Sequence, residues 1–472
     1  MDLVEVTTDE LYSESIQGLP GIQRWVHMDL KGAAPKLSYL LELLPKLKMW
    51  GATGLLMEYE DTFPFDGDLE VLRKPVESYN KSEIAELQSR ASSLGLEYVP
   101  LAQTFGHLEF VLKQKEFKHL REVEDPACAA ICPSHPGSLP LLKKMLTQMI
   151  EAHRELKYFH IGADEVMSLG QCQRCREKMA KSVNSSLADI YLDHVAQVLK
   201  FMKDEQPNLQ LIMWDDMLRK IDASQIIEYK LGDLVDPMVW IYSSDVYNFQ
   251  ETVGKQGWNR FAKIFSHYWA ASAFKGAFGG SLFLVPTGRH IQNHHLWLKE
   301  IHDNVPQTLK CKGIALTGWQ RYQHFSPLCE LLPAGLPSLV CNLRILQEGS
   351  FRRHMHMDIS KQLGFSSLIS LDMKMPRRKH DYNLEEVSPL SFPGSLIFQL
   401  VIIFSELLHV QADEVTPLHA DLRLQKMHEV KEHMLVVMKS VYQEPTITEW
   451  ITQRLMPMIQ YVELHKGSST AS

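Results

Sequence analysis

Eight short runs of aliphatic, aromatic and β-branched residues, each parted from the next by a stretch of helical periodicity, fill the first two-thirds of this chain. They lie at 22–32 (IQRWVHMDLKG), 54–61 (GLLMEYED), 96–107 (LEYVPLAQTFGH), 158–166 (YFHIGADEV), 209–216 (LQLIMWDD), 238–244 (MVWIYSS), 264–271 (IFSHYWAA) and 313–322 (GIALTGWQRY). Alternation of this kind is the signature of parallel strands joined by crossover helices, and eight is the number that closes a (β/α)8 barrel.

The intervening stretches support that reading. After Pro35, residues Leu37, Leu40, Leu41, Leu44 and Leu47 form one apolar stripe that Gly51 can end, with Pro45 awkwardly inside it. NKSE (80–83) reads as a capping box ahead of Ile84, Leu87, Ala91 and Leu94, with Gly95 as terminator. Leu187, Ile190, Tyr191, Val195, Val198 and Met202 repeat the pattern before Pro207. The expected division is an extension at 1–21, the barrel at 22–345, a linker and loop at 346–390 that includes the basic MKMPRRKHDYN, and a mainly helical region at 391–472 packed on the barrel.

Bulk properties narrow the partners. The chain has 472 residues, 49 basic against 57 acidic, and no long basic run, which disfavours nucleic acid or an anionic membrane as partner. Its acidic amino terminus does not read as a signal peptide and no apolar run reaches membrane-spanning length, so a cytosolic or nuclear protein is expected. Seven scattered cysteines fit reduced thiols better than a disulfide framework. In that setting the sequons at Asn80 and Asn184 carry no meaning. A homodimer is left open.

Catalytic groups of such barrels collect where strands end. Here those ends hold Asp29, Glu58, Glu60, Asp61, His107, Asp164, Glu165, Trp214, Asp215, Asp216, Trp240, Tyr242, Trp269 and Trp319. Flat aromatic walls beside carboxylates suit a sugar, which stacks its ring faces and hydrogen-bonds its hydroxyls. Some of these tryptophans would equally serve as barrel filling.

Asp164 and Glu165 are adjacent, behind Gly162 and Ala163. Strand neighbours face opposite sides, so both reach one pocket only if the backbone leaves β geometry there. Adjacent carboxyls cannot easily flank a glycosidic bond. They do fit the exceptional hydrolases in which the substrate's own 2-acetamido oxygen attacks the anomeric carbon. Glu165 would then protonate the leaving oxygen and activate water, while Asp164 would hold the acetamido nitrogen and the charge of the oxazolinium ring. Burial and like charge would help keep Glu165 protonated. A DE pair after a strand also fits a plain acid cluster at a helix start.

HIGADEV resembles the H-x-G-(G/A)-D-E signature of glycoside hydrolase family 20, the β-N-acetylhexosaminidases. PLAQTFGHLEF (100–110) resembles the family's preceding PGH strand end, with Phe105 in the proline position. RWVHMDLKGAAPK, LMEYEDTFPF, WDDML, WAASAFKG and LTGWQRYQHFSPLCELLPAG are similar, in order and spacing, to a smaller intracellular subgroup of that family. The resemblance implies a barrel that needs no metal and no cofactor. It implies a retaining exo-β-N-acetylhexosaminidase acting, through an oxazolinium intermediate, on terminal β-linked N-acetylgalactosamine or N-acetylglucosamine, the galacto sugar favoured. Matched residue by residue, Asp164 is the stabiliser and Glu165 the acid/base. Trp214, Trp240 and Trp319 line the sugar pocket, Tyr242 meets the acetamido oxygen, and Asp29, His107, Asp215 and Tyr322 are further substrate-binding candidates. His160 either orients the pair or sits in the core.

Two departures stand out. Lys31 occurs near the position where larger members carry an arginine, and it cannot make a bidentate contact. GWQRYQH offers Gln320, Arg321 and Tyr322 where those members follow the last-strand tryptophan with a glutamate; Glu109, Asp215 and Asp216 are candidate substitutes.

Other readings make different demands. A metal-dependent barrel hydrolase would use His27, Asp29, His107 and His267, and a non-catalytic sugar-binding barrel would be expected to have lost one of the acidic pair. CQRC (172–175) has no second pair at ligand spacing and is read as packing or loop. RHIQNHH (289–295) is read as surface or helix.

Overall fold

Parallel pairing runs unbroken from β1 (Gln23–Asp29) through β2 (Gly54–Glu58), β3 (Glu97–Leu101), β4 (Tyr158–His160), β5 (Gln210–Trp214), β6 (Val235–Trp240) and β7 (His267–Lys275) to β8 (Lys310–Gly318). β8 then pairs β1, Gly313 opposite Gln23 and Leu316 opposite Val26, and the barrel closes. Each strand lies within or overlaps one of the eight runs read from the sequence. Several strands stop short of those runs because their last residues have already turned into the loops above the barrel. The computed structural model describes residues 11–12, 15–125, 127–153, 155–181, 186–371, 384, 387–408 and 417–465.

The crossover helices follow from local sequence. Helix Leu37–Trp50 buries Leu40, Leu43, Leu44 and Leu47, tolerates Pro45 and ends on Gly51 at φ 102°. Helix Lys81–Ser93 starts with the reciprocal capping box of Asn80 and Glu83, and Leu187–Glu205 starts with a second one from Ser186 and Asp189. Inside the barrel Trp25 stacks on Trp269 at 3.8 Å between ring centroids, and Tyr158 packs edge-on to both. Trp269 is therefore barrel filling below the mouth. Leu56, Val99, Ile212 and Met238 complete this inner core.

Beyond the barrel the structure differs from the expected linker. Residues 353–362 form a helix that buries Met355, His356 and Ile359, held in part by His356 Nε2 on the Ile369 carbonyl at 2.9 Å. Its apolar positions are too few for periodicity to expose it. MKMPRRKHDYN lies outside the described residues. Helices Ser395–Leu408, Pro417–Val437 and Glu444–Trp450 follow and attach to the barrel at several points. Lys36 N donates to the Val441 carbonyl at 2.6 Å, Leu332 N to the Tyr442 hydroxyl at 3.1 Å, and Arg321 pairs with Glu449 at 2.9 Å. His290, His294 and His295 are buried on helix Thr287–Asp303 rather than on a surface; His294 bonds Ser272 of β7 at 2.8 Å. No helix among the described residues is long and apolar enough to cross a membrane.

Candidate active site

A pocket of about 370 Å³ opens above the carboxyl ends of the strands. Lys31 and Glu58 form one side, Gln103 and His107 the next, and Asp164 and Glu165 follow; Trp214, Trp240, Tyr242, Trp319 and Tyr322 complete the aromatic wall. Trp214 and Trp319 lie 6.0 Å apart, Trp240 stacks on Tyr242 at 5.3 Å, and Tyr242 meets Trp319 edge-on at 6.4 Å.

The adjacent acids reach one space because the chain abandons β geometry after His160. Gly162, Ala163 and Glu165 all have positive φ, 63°, 69° and 46°, and His107 across from them has 52°. Such angles are uncommon for residues with a Cβ and persist where the surroundings over-determine them. Here the surroundings are specific. Tyr191 OH donates to the Ala163 carbonyl at 2.8 Å, Trp214 N to the Gly162 carbonyl at 3.1 Å, and Glu165 N to Asp216 Oδ2 at 3.0 Å. A Cβ on Gly106 would stand 2.1 Å from the Asp164 carbonyl oxygen, so only glycine lets the His107 loop lie this close.

The two acids differ in setting. Asp164 is buried and its Oδ1 has no hydrogen-bond partner among the described residues; Glu165 is half exposed at the mouth. His107 Nε2 lies 3.4 Å from Asp164 Oδ2 and 3.2 Å from Glu165 Oε2. Burial works against charge on His107, yet Asp164 beside it and hydrogen bonds to both acids hold the imidazolium well above its ordinary range. In turn the His107 hydrogen bond lowers the Glu165 carboxyl, against the opposing effect of burial. The expectation that burial and like charge keep Glu165 protonated is therefore corrected: the cation that His107 supplies from the loop after β3 outweighs burial. Asp216, beneath the pair, is raised by burial and by the Asp164 and Asp215 charges.

Two other candidates are occupied elsewhere. Asp215 chelates Arg219 through both oxygens, at 2.6 and 2.7 Å, and accepts Trp240 N at 3.3 Å, so it sits behind the tryptophan wall and positions it. Asp29 accepts Lys31 Nζ at 3.1 Å and Gln320 N at 2.7 Å and stands beneath the pocket lining. Lys31 itself enters the pocket, 5.3 Å above the Trp319 ring. Burial acts against its charge, but Asp29, Glu60 and Glu58 hold the ammonium well above its usual range. Tyr322 lies at the rim and accepts Gly279 N at 2.9 Å. Arg321 turns away toward Glu449. His160 is buried, pushed down to about 3 by desolvation, and accepts Gly162 N at 3.0 Å through Nδ1; it braces the turn from the core. Tyr242 is raised by burial, so its phenol stays a donor.

Gln103 is a pocket residue that the sequence does not mark. Its Nε2 reaches Glu58 Oε1 at 3.3 Å and its Oε1 is buried without a partner among the described residues. The available signal is its position two residues past β3, at a strand end that faces the pocket. The four groups of a metal-dependent hydrolase are not brought together. His27 pairs with Glu58 at 2.9 Å within the barrel, while His267 opens β7 at the opposite end.

A family model, glycosyl hydrolase family 20, catalytic domain, matches residues 37–259, a segment containing both acids. Hexosaminidase D of Homo sapiens is 41% identical over 382 residues, 81% of this chain and 75% of the relative. The chain belongs to glycosyl hydrolase family 20. Hexosaminidase D of Bos taurus agrees, 42% identical over 352 residues that cover 74% of this chain and 99% of the relative. Among solved structures, the β-N-acetylhexosaminidase of Bacteroides fragilis superposes with a TM-score of 0.52 at 14% identity, over 72% of this chain and 69% of that one, a likeness of fold. As a family 20 member the chain is a glycoside hydrolase.

Proposed function

We propose that this β-hexosaminidase is a retaining exo-enzyme that removes terminal β-linked N-acetylgalactosamine, and N-acetylglucosamine, by substrate-assisted catalysis. The observation that carries the reading is the contrast within the acidic pair. Asp164 is buried with a free Oδ1, and Glu165 stands beside it at the opening of the same pocket.

With the sugar ring against the tryptophans, Asp164 Oδ1 accepts the acetamido N–H and aligns the acetamido oxygen below the anomeric carbon. Tyr242 donates to that oxygen and fixes its direction. Glu165 protonates the glycosidic oxygen as the anomeric C–O bond breaks and the acetamido oxygen bonds to carbon. Asp164 balances the positive charge of the resulting oxazolinium ring. Glu165, now ionised, takes a proton from water, which attacks the anomeric carbon from the vacated face as the ring C–O bond to the acetamido oxygen breaks, restoring the acetamido group and the β-configuration. Lys31, Glu58, Gln103, Tyr322 and Gln323 are polar lining groups that can meet the outer hydroxyls. The preference for the galacto sugar rests on the sequence resemblance.

Paired assays on chromogenic β-N-acetylgalactosaminide and β-N-acetylglucosaminide measure that preference directly. Asp164→Asn is expected to lose about 10²–10⁴-fold in kcat, the usual worth of one acid–base or electrostatic group. Glu165→Gln is expected to lose as much on substrates with poor leaving groups and less on aryl glycosides. An N-acetyl-thiazoline should compete tightly with substrate. Full activity in Glu165→Gln on alkyl glycosides, or indifference to the thiazoline, would remove the mechanism.

A further inference from the structure

Cys172 and Cys175 are joined by partners that sequence spacing does not reveal. Cys132, on the loop after β3, brings its Sγ to 3.3 Å from Cys172 Sγ and 3.8 Å from Cys175 Sγ. Glu122, from the same loop, places Oε2 at 3.3 Å from Cys175 Sγ. One ligand atom from each of the four residues falls within 4.8 Å of every other. Zinc–sulfur bonds of about 2.3 Å arranged tetrahedrally require sulfurs roughly 3.8 Å apart, so the cluster has the scale of a zinc site.

Three further observations point to a cation. Glu122, Cys132 and Cys175 are buried, and none of the ion pairs among the described residues involves Glu122. A buried carboxylate without a counter-charge is costly, and a divalent ion would supply one. The donors are also pre-oriented. Cys175 N donates to Cys172 Sγ at 3.2 Å, as an amide does to a metal-bound thiolate at the start of a helix, and Cys172 N donates to Glu122 Oε1 at 3.0 Å. Third, the cysteines are all free thiols, with no disulfide to account for their gathering.

We propose that Glu122, Cys132, Cys172 and Cys175 bind one structural zinc ion that staples the loop after β3 to the loop after β4. The first loop is tied back to the pocket: Ile131 N donates to the Phe105 carbonyl at 3.1 Å, and Leu108 N to the Ala129 carbonyl at 2.9 Å, on either side of His107. The second carries Asp164 and Glu165 in its first turn after β4. The ion therefore holds in register the segments that carry the histidine and the acids, while touching none of the reacting atoms. The packing role expected for CQRC gives way because the missing ligands come from residues 40 and 50 positions upstream.

The test is elemental analysis of the full chain purified in zinc-supplemented medium, alongside a cobalt(II) titration of metal-stripped, reduced protein. About one zinc per chain is expected, lost in Cys132→Ser and Cys175→Ser and retained in Cys311→Ser. Cobalt should give intense thiolate-to-metal charge-transfer bands and tetrahedral d–d bands. Glu122→Gln should release metal to a chelator faster than wild type. Zinc-free protein whose thiols titrate as free, a mass two hydrogens light from a Cys132–Cys172 disulfide, or a cobalt spectrum without thiolate bands would overturn the site. The cobalt reading uses the wild-type chain, so it stands even where a cysteine variant fails to fold.

Discussion

His107 is the residue on which the pH behaviour of the pocket turns. Its imidazolium, held by Asp164 and Glu165, lowers the Glu165 carboxyl that carries a proton into the first step of the proposed reaction. Activity is therefore expected to fall as pH rises through the depressed Glu165 value, and the alkaline limb of kcat/KM should lie on the acid side. Replacing His107 with Gln removes the cation; the Glu165 carboxyl should rise and the alkaline limb move to higher pH, with lower peak turnover. A His107→Gln profile with an unmoved alkaline limb would detach His107 from the acid. The motif HIGADEV made the acidic pair legible, and residue identity alone named the tryptophans. The adjacency of the acids required the backbone to leave β geometry, and it does so with left-handed Ala163 and Glu165. Its cause was not readable, because Tyr191, Trp214 and Asp216 supply the restraints from other elements.

At the scale of elements, the carboxy-terminal helices reach back to the loop after β8. Arg321 Nη1 meets Glu449 Oε1 at 2.9 Å, and both side chains are largely buried. That loop carries Trp319 and Tyr322, so the distant helix Glu444–Trp450 braces one wall of the pocket. Glu449→Ala leaves the guanidinium short of its partner at a cost of about 1–3 kcal/mol. A lower unfolding midpoint is expected, together with a rise in KM larger than any fall in kcat; unchanged values of both would show that the loop holds its own shape. Helix periodicity announced that region as helical, yet nothing in Arg321 or Glu449 announced their pairing. The helix Arg353–Gln362 was hidden for a related reason: its buried face mixes Met355 and Ile359 with polar His356 and Ser360, and His356 finds its partner at Ile369 beyond the helix.

For the whole molecule, stability carries a pH signature from a carboxyl at the barrel's mouth. Glu330 is fully buried, accepts Gly276 N at 2.9 Å, and burial pushes it up to about 7. Its unfolded counterpart titrates near roughly 4.3. A carboxyl raised on folding favours the native state while protonated, so its contribution is present below that unfolded value and is lost as pH rises through about 7. Glu330→Gln should flatten the fall in unfolding midpoint across that window, because the amide oxygen can still accept Gly276 N. An equally steep fall in the variant would assign the dependence to another group, with Asp216 the next to replace.

Sequence alone determined the barrel, because eight periods of strand and amphipathic helix admit one closed parallel arrangement, and it singled out the acidic pair as candidates, because local motif and local chemistry coincide there. Tertiary structure decided the rest. Asp29 and Asp215 became braces, Lys31 and Gln103 entered the pocket, and Glu122 and Cys132 joined a cysteine pair far along the chain. The physical reason is that strand period specifies which residues end a strand, whereas which of them face an opening, and which spend their hydrogen bonds on a neighbour, is set by side chains brought together only when the barrel closes.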